Sequence, residues 1–323
     1  MFNIKRGLVS GLIAATCLVS TGAHAADRYP DKHVKLVVPY PAGGTTDLIA
    51  RLYAERLSAE LKQPVIVENK GGAATNIGAG TVAQASPDGY TLLFGTLGPF
   101  LNTILGPKPT FDPFTQLKPV ASIVRMPFIL AANPAAPFSD VSKMLEMTRK
   151  DPGKYTVASA QLQNYVTLMT SQANFEILHV PYKGGGEAAN GAIGGQVDMV
   201  FALVPLLKSL VESGSLKAIG LTSKGRLASM PDVGTFVEAG SEFELSSLFS
   251  LFAPAGTPAD IVKKLSAATK VAVSNPDFAE RVSKLGAQAD WSDGPAANQE
   301  IDASIDMWKQ LVQKIPSLIK KGS

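Results

Sequence analysis

The sequence predicts an α/β protein with two lobes, each a doubly wound, mostly parallel sheet flanked by helices. Short β-branched segments alternate with segments of helical periodicity along almost the whole chain, which is typical of parallel sheets with crossover helices. The 323 residues are enough for about two domains. The sequence contains no long polar linker, so we expect strands to join the two lobes.

The first 25 residues have the layout of a secretory leader. Lys5 and Arg6 form a short positive region, an apolar run follows, and Ala23-His24-Ala25 is a cleavage pattern. The apolar run is shorter than the roughly 20 residues of a membrane anchor. A lipid anchor on Cys17 is the alternative, but Thr16 stands where a Gly or Ala is usual. We expect cleavage after Ala25 and export to the periplasm.

Removal of this leader restricts the chemistry of the mature chain. It would keep 298 residues, with 28 basic against 27 acidic side chains, no cysteine, and His33 and His179 as its histidines. Near-neutral charge argues against nucleic-acid binding, and the missing thiols exclude a disulfide scaffold. Two distant histidines do not make a zinc site. We expect a monomer without cofactor or metal.

The elements of the first lobe follow from local patterns. The β-branched run at 33–38 predicts a strand, and the 3.6-residue apolar period over 47–61 predicts a helix. Strands are predicted at 64–67 and 90–94, on either side of a small-residue helix at 76–85.

The same alternation continues to the end of the chain. Further strands are predicted at 120–124, 128–132, 155–159, 177–181, 197–201, 218–222 and 248–253. Further helices are predicted at 139–150, 165–173, 187–194, 259–273, 277–285 and 296–314. The apolar stripe of the last helix is expected to pack in the core and consists of Ile301, Ile305, Trp308, Val312 and Ile315.

Small, amide-rich loops after the predicted strands are the candidate binding elements. The loop 39–47 contains Gly43 and Gly44, which let the backbone approach a ligand closely. The amides at the start of the following helix favour an anion such as a carboxylate. An ordinary strand–helix turn remains the alternative for this loop. Its possible helix caps are Thr45, Thr46 and Asp47.

Similar loops follow other predicted strands in both lobes. They lie at 71–76 and at Gly95-Thr96 in the first lobe, and at 159–163 and 182–186 in the second. Because ligands of open α/β sheets bind at the carboxyl ends of strands, we expect a ligand between the lobes.

Enzyme motifs are missing from the sequence. The phosphate-binding, dinucleotide-binding, nucleophile-elbow and H-E-x-x-H patterns do not occur. His179 lies alone in a predicted strand and is expected to be structural. A Ser/Lys mechanism leaves no recognisable pattern and stays open. We therefore expect a binding protein and not an enzyme.

A series of short segments in fixed order carries a family resemblance. They are YPDK at 29–32, PYPAGGTTD at 39–47, PVIVENK at 64–70, NIGA at 76–79, SPDGYTLL at 86–93, NP at 133–134, HVPYKG at 179–184, GGQVD at 194–198, the stretch 226–240 and APAGTP at 253–258. Together they resemble the Bug-type receptors, which are the extracytoplasmic solute-binding proteins of tripartite tricarboxylate transporters. The resemblance covers essentially all of the mature chain.

This resemblance implies a type II periplasmic-binding-protein fold. Domain 1 would comprise residues 26–124 and 250–323, domain 2 residues 125–249, and the strand crossovers would lie near Val124 and Ser250. The implied function is capture of a small organic carboxylate and its delivery to integral membrane transporter subunits. The alternative is a ligand sensor that presents its closed state to a sensor kinase, and a periplasmic enzyme is a distant third. Gene neighbours would separate transport from sensing.

The resemblance also places ligand contacts on both domains. Those of domain 1 are Tyr40, Ala42, Gly43, Gly44, Thr45, Thr46, Thr75, Asn76, Gly95 and Thr96. Those of domain 2 are Ser159, Tyr182, Lys183, Gly184 and Asp198. Asp47 is expected to cap its helix, and a solvated rim position is the alternative for Lys183.

Three departures from the family pattern bear on specificity. The segment 158–165 lacks the usual glycines and hydroxyls, Ala202 and Leu203 replace a polar pair, and Leu97 and Phe100 stand where small polar residues are frequent.

A less polar distal pocket, suited to an aromatic or otherwise apolar carboxylate, would explain these departures. Its predicted walls are Tyr40, Phe100, Tyr165 and Phe201. Alternatively, the segment makes its contacts through Gln161, Gln163 and Asn164.

Overall fold

Two sets of parallel strands, connected by two long antiparallel strands, form the framework of the computed structural model, which describes residues 29–160, 162–315 and 318. The predicted leader and Gln161 lie outside these residues. The strands are β1 (Val34–Val38), β2 (Val65–Asn69), β3 (Thr91–Gly95), β4 (Leu117–Ala132), β5 (Thr156–Ala160), β6 (Leu178–Tyr182), β7 (Met199–Leu203), β8 (Lys217–Leu221), β9 (Ser246–Pro254) and β10 (Gln288–Ala289).

Helices flank these strands and connect most of them. They are α1 (Thr45–Leu61), α2 (Asn76–Ala83), α3 (Gly98–Leu105), α4 (Pro113–Gln116), α5 (Val141–Lys150), α6 (Gln163–Gln172), α7 (Gly185–Ile193), α8 (Val204–Glu212), α9 (Ala259–Val273), α10 (Pro276–Lys284) and α11 (Gly294–Lys314), with a 3-10 turn at Ala73–Thr75. The predicted α/β class is confirmed. In the part of the chain that the structure describes, no helix has the length and apolar character needed to cross a membrane.

The strand order is β2-β1-β3-β9-β4-β7-β5-β6, with β8 and β10 also paired to β4. The strands β1–β3, here called the first lobe, are parallel, and so are β5–β7, the second lobe. In contrast, β4 and β9 are antiparallel to their neighbours, because they carry the chain between the lobes.

A single 16-residue strand, β4, replaces the two short strands predicted at 120–124 and 128–132. Its first part pairs with β9 up to Pro127, and from Phe128 onward it pairs with β7. The predicted domain boundaries at 124 and 250 fall inside β4 and β9 and stay a prediction. Strand β4 spans both lobes and is the longest strand among the described residues.

The apolar faces predicted for two helices are confirmed. The α1 face is buried and contains Ile49, Leu52, Tyr53, Leu57 and Leu61. On α11, Ile301, Ile305 and Trp308 are buried, and the rest of the stripe is partly buried against the same core.

Charged contacts fasten the C-terminal segment to β4. The Arg125 Nε donates to Asp290 at 2.7 Å, and its two terminal nitrogens donate to both oxygens of Glu300 at 2.7 and 2.9 Å. Such bidentate pairs are among the stronger ionic contacts in proteins.

Sequence periodicity did not predict α3, α4 or α8.

Candidate functional site

The carboxyl ends of both sets of parallel strands point toward the middle of β4. On the first-lobe side, Gly95 at the end of β3 pairs with Ser250 of β9, which pairs with Ser122 of β4. On the second-lobe side, Leu203 at the end of β7 pairs with Phe128 of β4. The loops after these strands therefore face each other across residues 123–127, where ligands of open α/β sheets bind.

A buried carboxylate fixes the loop between β1 and α1. Asp47 is 4% exposed and accepts hydrogen bonds from the Gly43 amide at 2.9 Å, from Arg51 Nε at 3.0 Å and from Asn69 Nδ2 at 2.9 Å. Asn69 also donates to the Tyr40 carbonyl at 3.2 Å. Burial acts to raise the pKa of Asp47, but the three donors outweigh it and hold this pKa below its ordinary value.

The start of α1 differs from the expected capping. Gly44 is the N-cap and no side chain caps the helix, so Asp47 instead reaches back to the loop. The first backbone hydrogen bond of this helix runs from the Leu48 amide to the Gly44 carbonyl, at 3.0 Å. The amides of residues 45–47 therefore have no partner within the helix. Thr46 is buried, Thr45 is half-buried, and the exposed residues of this loop include Ala42, Gly43 and Gly44.

Tyr40 and Thr96 come together at the ends of β1 and β3. Their hydroxyls lie 3.2 Å apart, and the Tyr40 ring lies 6.1 Å from that of Phe249. Burial raises the pKa of Tyr40, although the bond to Thr96 opposes this effect. Thr96 follows Gly95 and also accepts from the Gly98 amide at 3.2 Å. Both predicted residues thus lie at the carboxyl edge of the first lobe.

Thr75 and Asn76 lie where the 3-10 turn meets α2. The Asn76 side chain donates to the Pro107 carbonyl at 2.9 Å and accepts from Asn102 at 2.8 Å. Both of its polar atoms therefore bind the protein itself, and the predicted ligand contact of Asn76 stays a prediction. The Thr75 hydroxyl is buried and has no hydrogen-bond partner among the described residues.

In the second lobe, Ser159 points into the interior. It is 0% exposed, and its Oγ lies 2.8 Å from His179 Nε2. Burial lowers the pKa of His179, so the imidazole is neutral at pH 7. The Ser159 hydroxyl therefore has a partner inside the protein, which does not support the predicted ligand contact at Ser159. The position of His179 agrees with the expectation that it is structural.

The loop between β6 and α7 resembles the loop before α1. Gly184 is the N-cap of α7, and no side chain caps this helix. The Ala188 amide donates to the Gly184 carbonyl at 3.1 Å. The amides of residues 185–187 therefore have no partner within the helix. Lys183 is exposed. The Tyr182 hydroxyl lies against Gly191, where a Cβ would collide with it, and this ring therefore packs on α7.

Asp198 lies at the opposite end of the second lobe, which contradicts its predicted contact with a ligand. Its carboxylate accepts from the amide and the hydroxyl of Thr156, both at 2.8 Å. Thr156 is the first residue of β5 and Ala160 is the last. At roughly 3.3 Å per residue, about 13 Å separate Thr156 from the carboxyl edge.

Two of the four predicted aromatic walls lie in the core. Phe201 is 0% exposed and stacks on Phe128 with 5.1 Å between centroids. Phe100 is 3% exposed and packs against Phe252 at 5.8 Å and Phe114 at 5.3 Å. Because these rings are surrounded by protein, they contradict the prediction that they face a ligand.

Tyr165, in contrast, lies between the lobes. Its ring packs against Phe128 of β4 at 5.5 Å and edge-on against Trp308 of α11 at 5.3 Å. Burial raises the pKa of Tyr165, and the nearby Tyr40 raises it further. The structure thus brings together one predicted wall from each lobe. On α6, Gln163 is exposed and Asn164 is half-buried, while Gln161 lies outside the described residues.

Sequence reasoning missed three residues that shape this region. Asn69 is part of a quoted motif, but its link to Asp47 depends on the pairing of β1 with β2. Trp308 was expected only as core. Asn102 is a polar residue in an apolar stretch, and it would have attracted attention if α3 had been predicted.

A cavity of about 770 Å³ lies elsewhere, at the base of the first lobe. It is lined by Lys118, Lys263 and Trp291 among others. Lys118 pairs with Ala253 at the start of β4, close to the amino ends of β1–β3 and far from the loops above. Among the described residues, no group of three His, Cys, Asp or Glu side chains could hold a metal ion.

Comparisons with known proteins identify the family and the fold of this chain. A family model described as tripartite tricarboxylate transporter family receptor matches residues 49–316. The solved periplasmic binding protein BugD is 32% identical and covers 88% of this chain and 98% of its own, with a TM-score of 0.76. These matches confirm the predicted periplasmic-binding-protein fold and the resemblance to Bug receptors.

Two solved structures from Rhodopseudomonas palustris contain acids. Rpa4515 with adipate is 29% identical and covers 88% of this chain and 97% of its own, with a TM-score of 0.79. MatC with bound malate is 32% identical and covers 88% of this chain and 100% of its own, with a TM-score of 0.76. The matching family is one of receptors, and BugD is a binding protein, which confirms the expectation of a binding protein and not an enzyme.

Proposed function

Because this chain belongs to the tripartite tricarboxylate transporter family of receptors, we propose that it binds a small organic carboxylate between its lobes and delivers it to the membrane subunits of such a transporter. The observation that best supports this proposal is that strand ends of both lobes point toward the middle of β4. A helix on each side, α1 and α7, begins with amides that have no partner within the helix. Such amides, together with the helix dipole, favour a carboxylate.

Within this class, we propose an acid whose body is apolar or aromatic. Tyr40 and Tyr165 lie near each other from opposite lobes, and Tyr165 is backed by Phe128 and Trp308. Burial of an apolar ligand face against them would contribute about 25 cal/mol per Å². The positions of Phe100 and Phe201 in the core reduce the predicted aromatic wall to these two tyrosines.

A thermal-shift screen of the purified mature protein tests the ligand class. The panel contains adipate, malate, citrate and benzoate at equal concentrations. A binding acid at 100 times its Kd should stabilise the protein by about 2.7 kcal/mol. We expect adipate or benzoate to stabilise it more than malate and citrate do. Stabilisation by malate or citrate alone would contradict the apolar body, and no stabilisation by any carboxylate would contradict the proposed class.

Delivery to a transporter is tested in the cell. Deletion of the gene should abolish uptake of the acid that stabilises the protein. Unchanged uptake combined with a lost transcriptional response to that acid would favour the sensing alternative. Export through the leader is also part of the proposal, and N-terminal sequencing of the periplasmic protein should begin at Ala26.

A further inference from the structure

In the loop between β2 and α2, three successive residues other than glycine have left-handed backbone conformations. Ala73, Ala74 and Thr75 have φ values of 46°, 50° and 79°. Such residues rarely adopt positive φ, because Cβ then crowds the backbone. A run of three therefore persists only when the surroundings hold it in place.

One side chain of α3 makes the contacts that can hold this turn. Asn102 is 8% exposed, and its amide nitrogen donates to the Ala74 carbonyl and to Asn76 Oδ1, both at 2.8 Å. Asn76 in turn donates to the Pro107 carbonyl at 2.9 Å. Two buried amide groups thus join the turn and the start of α2 to the middle of α3 and to the segment that follows this helix.

The turn also determines where the Thr75 hydroxyl lies. A Cβ built on Gly98 would lie 2.7 Å from Thr75 Oγ1 and 3.5 Å from Thr96 Oγ1. The Thr75 hydroxyl is therefore next to the Tyr40–Thr96 pair, yet it has no partner among the described residues. A buried hydroxyl without a partner is unfavourable, so an acceptor from a ligand or a water molecule would stabilise it.

We propose that Asn102 is a positioning residue, which holds the left-handed turn at residues 73–75 and so places Thr75 for ligand binding. This inference rests on the proposed carboxylate site of the first lobe. Asn102 acts through the backbone of Ala74 and through Asn76, and it does not itself contact the ligand.

The test compares Asn102→Ala with a matched control in the second lobe. Asn133 also donates from one amide nitrogen to two carbonyls, those of Ala192 at 2.8 Å and Ile193 at 3.1 Å. It lies at the amino ends of the second-lobe strands, where its own amide donates to the Asp198 carbonyl. Asn133→Ala therefore removes comparable bonds far from the proposed site.

Binding of adipate and of malate is measured by calorimetry, and stability by urea unfolding. Asn102→Ala should weaken binding about tenfold, because two buried acceptors lose their donor. Asn133→Ala should change affinity by less than about twofold at a similar loss of stability. If Asn102→Ala does not fold, Asn102→Ser replaces it. Equal effects of both positions on affinity would overturn the inference.

A rescue variant separates positioning from general destabilisation. Ala74 is exposed, and glycine adopts positive φ without a Cβ penalty. Ala74→Gly should therefore restore much of the affinity lost in Asn102→Ala and have no such effect on Asn133→Ala. Failure of this rescue would contradict the proposed hold on the turn.

Hydrogen exchange provides a measurement that needs no ligand. Exchange at residues 72–78 should accelerate in Asn102→Ala and stay unchanged in Asn133→Ala. Unchanged exchange in Asn102→Ala would refute the inference. If the wild-type protein binds no carboxylate, the proposed function fails instead, and the exchange data still decide whether Asn102 holds the turn.

Discussion

Replacement of Asp47 by asparagine should lower the free energy of unfolding by about 2–4 kcal/mol. The carboxylate is nearly inaccessible and joins the Gly43 amide, Arg51 and Asn69. An asparagine of the same shape keeps one oxygen, which can still accept from Asn69. Its NH2 group would then face the Gly43 amide and the Arg51 guanidinium, both of which are donors.

The magnitude follows from the two contacts that are lost. A hydrogen bond from an amide to a buried carboxylate contributes about 1.5–3 kcal/mol, which applies to Gly43. The Arg51 side chain is 51% exposed, so its ion pair contributes at most about 1 kcal/mol. Loss of the negative charge in the first turn of α1 adds a few tenths of a kcal/mol.

Urea unfolding followed by circular dichroism measures this loss at several pH values. The pKa of Asp47 is lowered in the folded protein, so its stabilisation is present above the unfolded pKa and disappears as the pH falls through the folded pKa. The difference between wild type and Asp47→Asn should therefore be constant from pH 5 to 8 and shrink below about pH 4. A loss below about 0.5 kcal/mol at pH 7 would refute the reasoning.

A matched control is Asp140→Asn at the start of α5. Asp140 caps this helix by accepting from the Lys143 amide at 2.9 Å. Asparagine is an equally good N-cap, so this change should cost less than about 0.5 kcal/mol. A similar loss at both positions would show that removal of charge, not the geometry around Asp47, dominates.

Two further predictions concern the second lobe. Burial lowers the pKa of His179, so protonation of this side chain makes the folded protein less stable as the pH falls below about 6.5. The urea midpoints at pH 7.5 and 5.5 should therefore differ less in His179→Gln than in wild type. Equal differences in the two proteins would contradict this. In Trp291→Phe, Trp308 is the single remaining tryptophan, and its emission should shift on adipate binding because it contacts Tyr165. Tyr165→Leu should abolish that shift, and an unchanged shift would contradict the proposed position of Tyr165 at the ligand site.

Local patterns predicted the parts of the fold that depend on neighbouring residues. The buried face of α1 follows from its 3.6-residue period. Continuity of β4 could not be predicted, because Arg125 and Pro127 interrupt its apolar run. The charge of Arg125 is neutralised by Asp290 and Glu300, which are distant in sequence. A long-range contact thus makes a charged residue compatible with a buried strand.

In the candidate site, too, features of neighbouring residues could be predicted and those that depend on strand pairing could not. The loops after β1 and β6 were predicted from glycines and helix starts, which are local features. The position of Asp198 depends on which end of β7 it occupies, and the pairing of β5 with β7 determines this. Phe201 shares a face with Phe128 only through the register of β4 and β7. Such pairings are not visible in one sequence.

Polar side chains in the first lobe bind its loop backbone and so fix the shape of the proposed site. Asp47 holds Gly43, Asn69 holds Tyr40, and Asn102 holds Ala74. Each of these bonds joins a side chain to a backbone group. Ligand preference should therefore change most readily through residues at the face of the site, such as Tyr40 and Tyr165, whereas changes in the buried amides and carboxylate should weaken binding of all carboxylates alike. For the proposed carboxylate, the oriented amides at the starts of α1 and α7 would supply the positive end of the helix dipole.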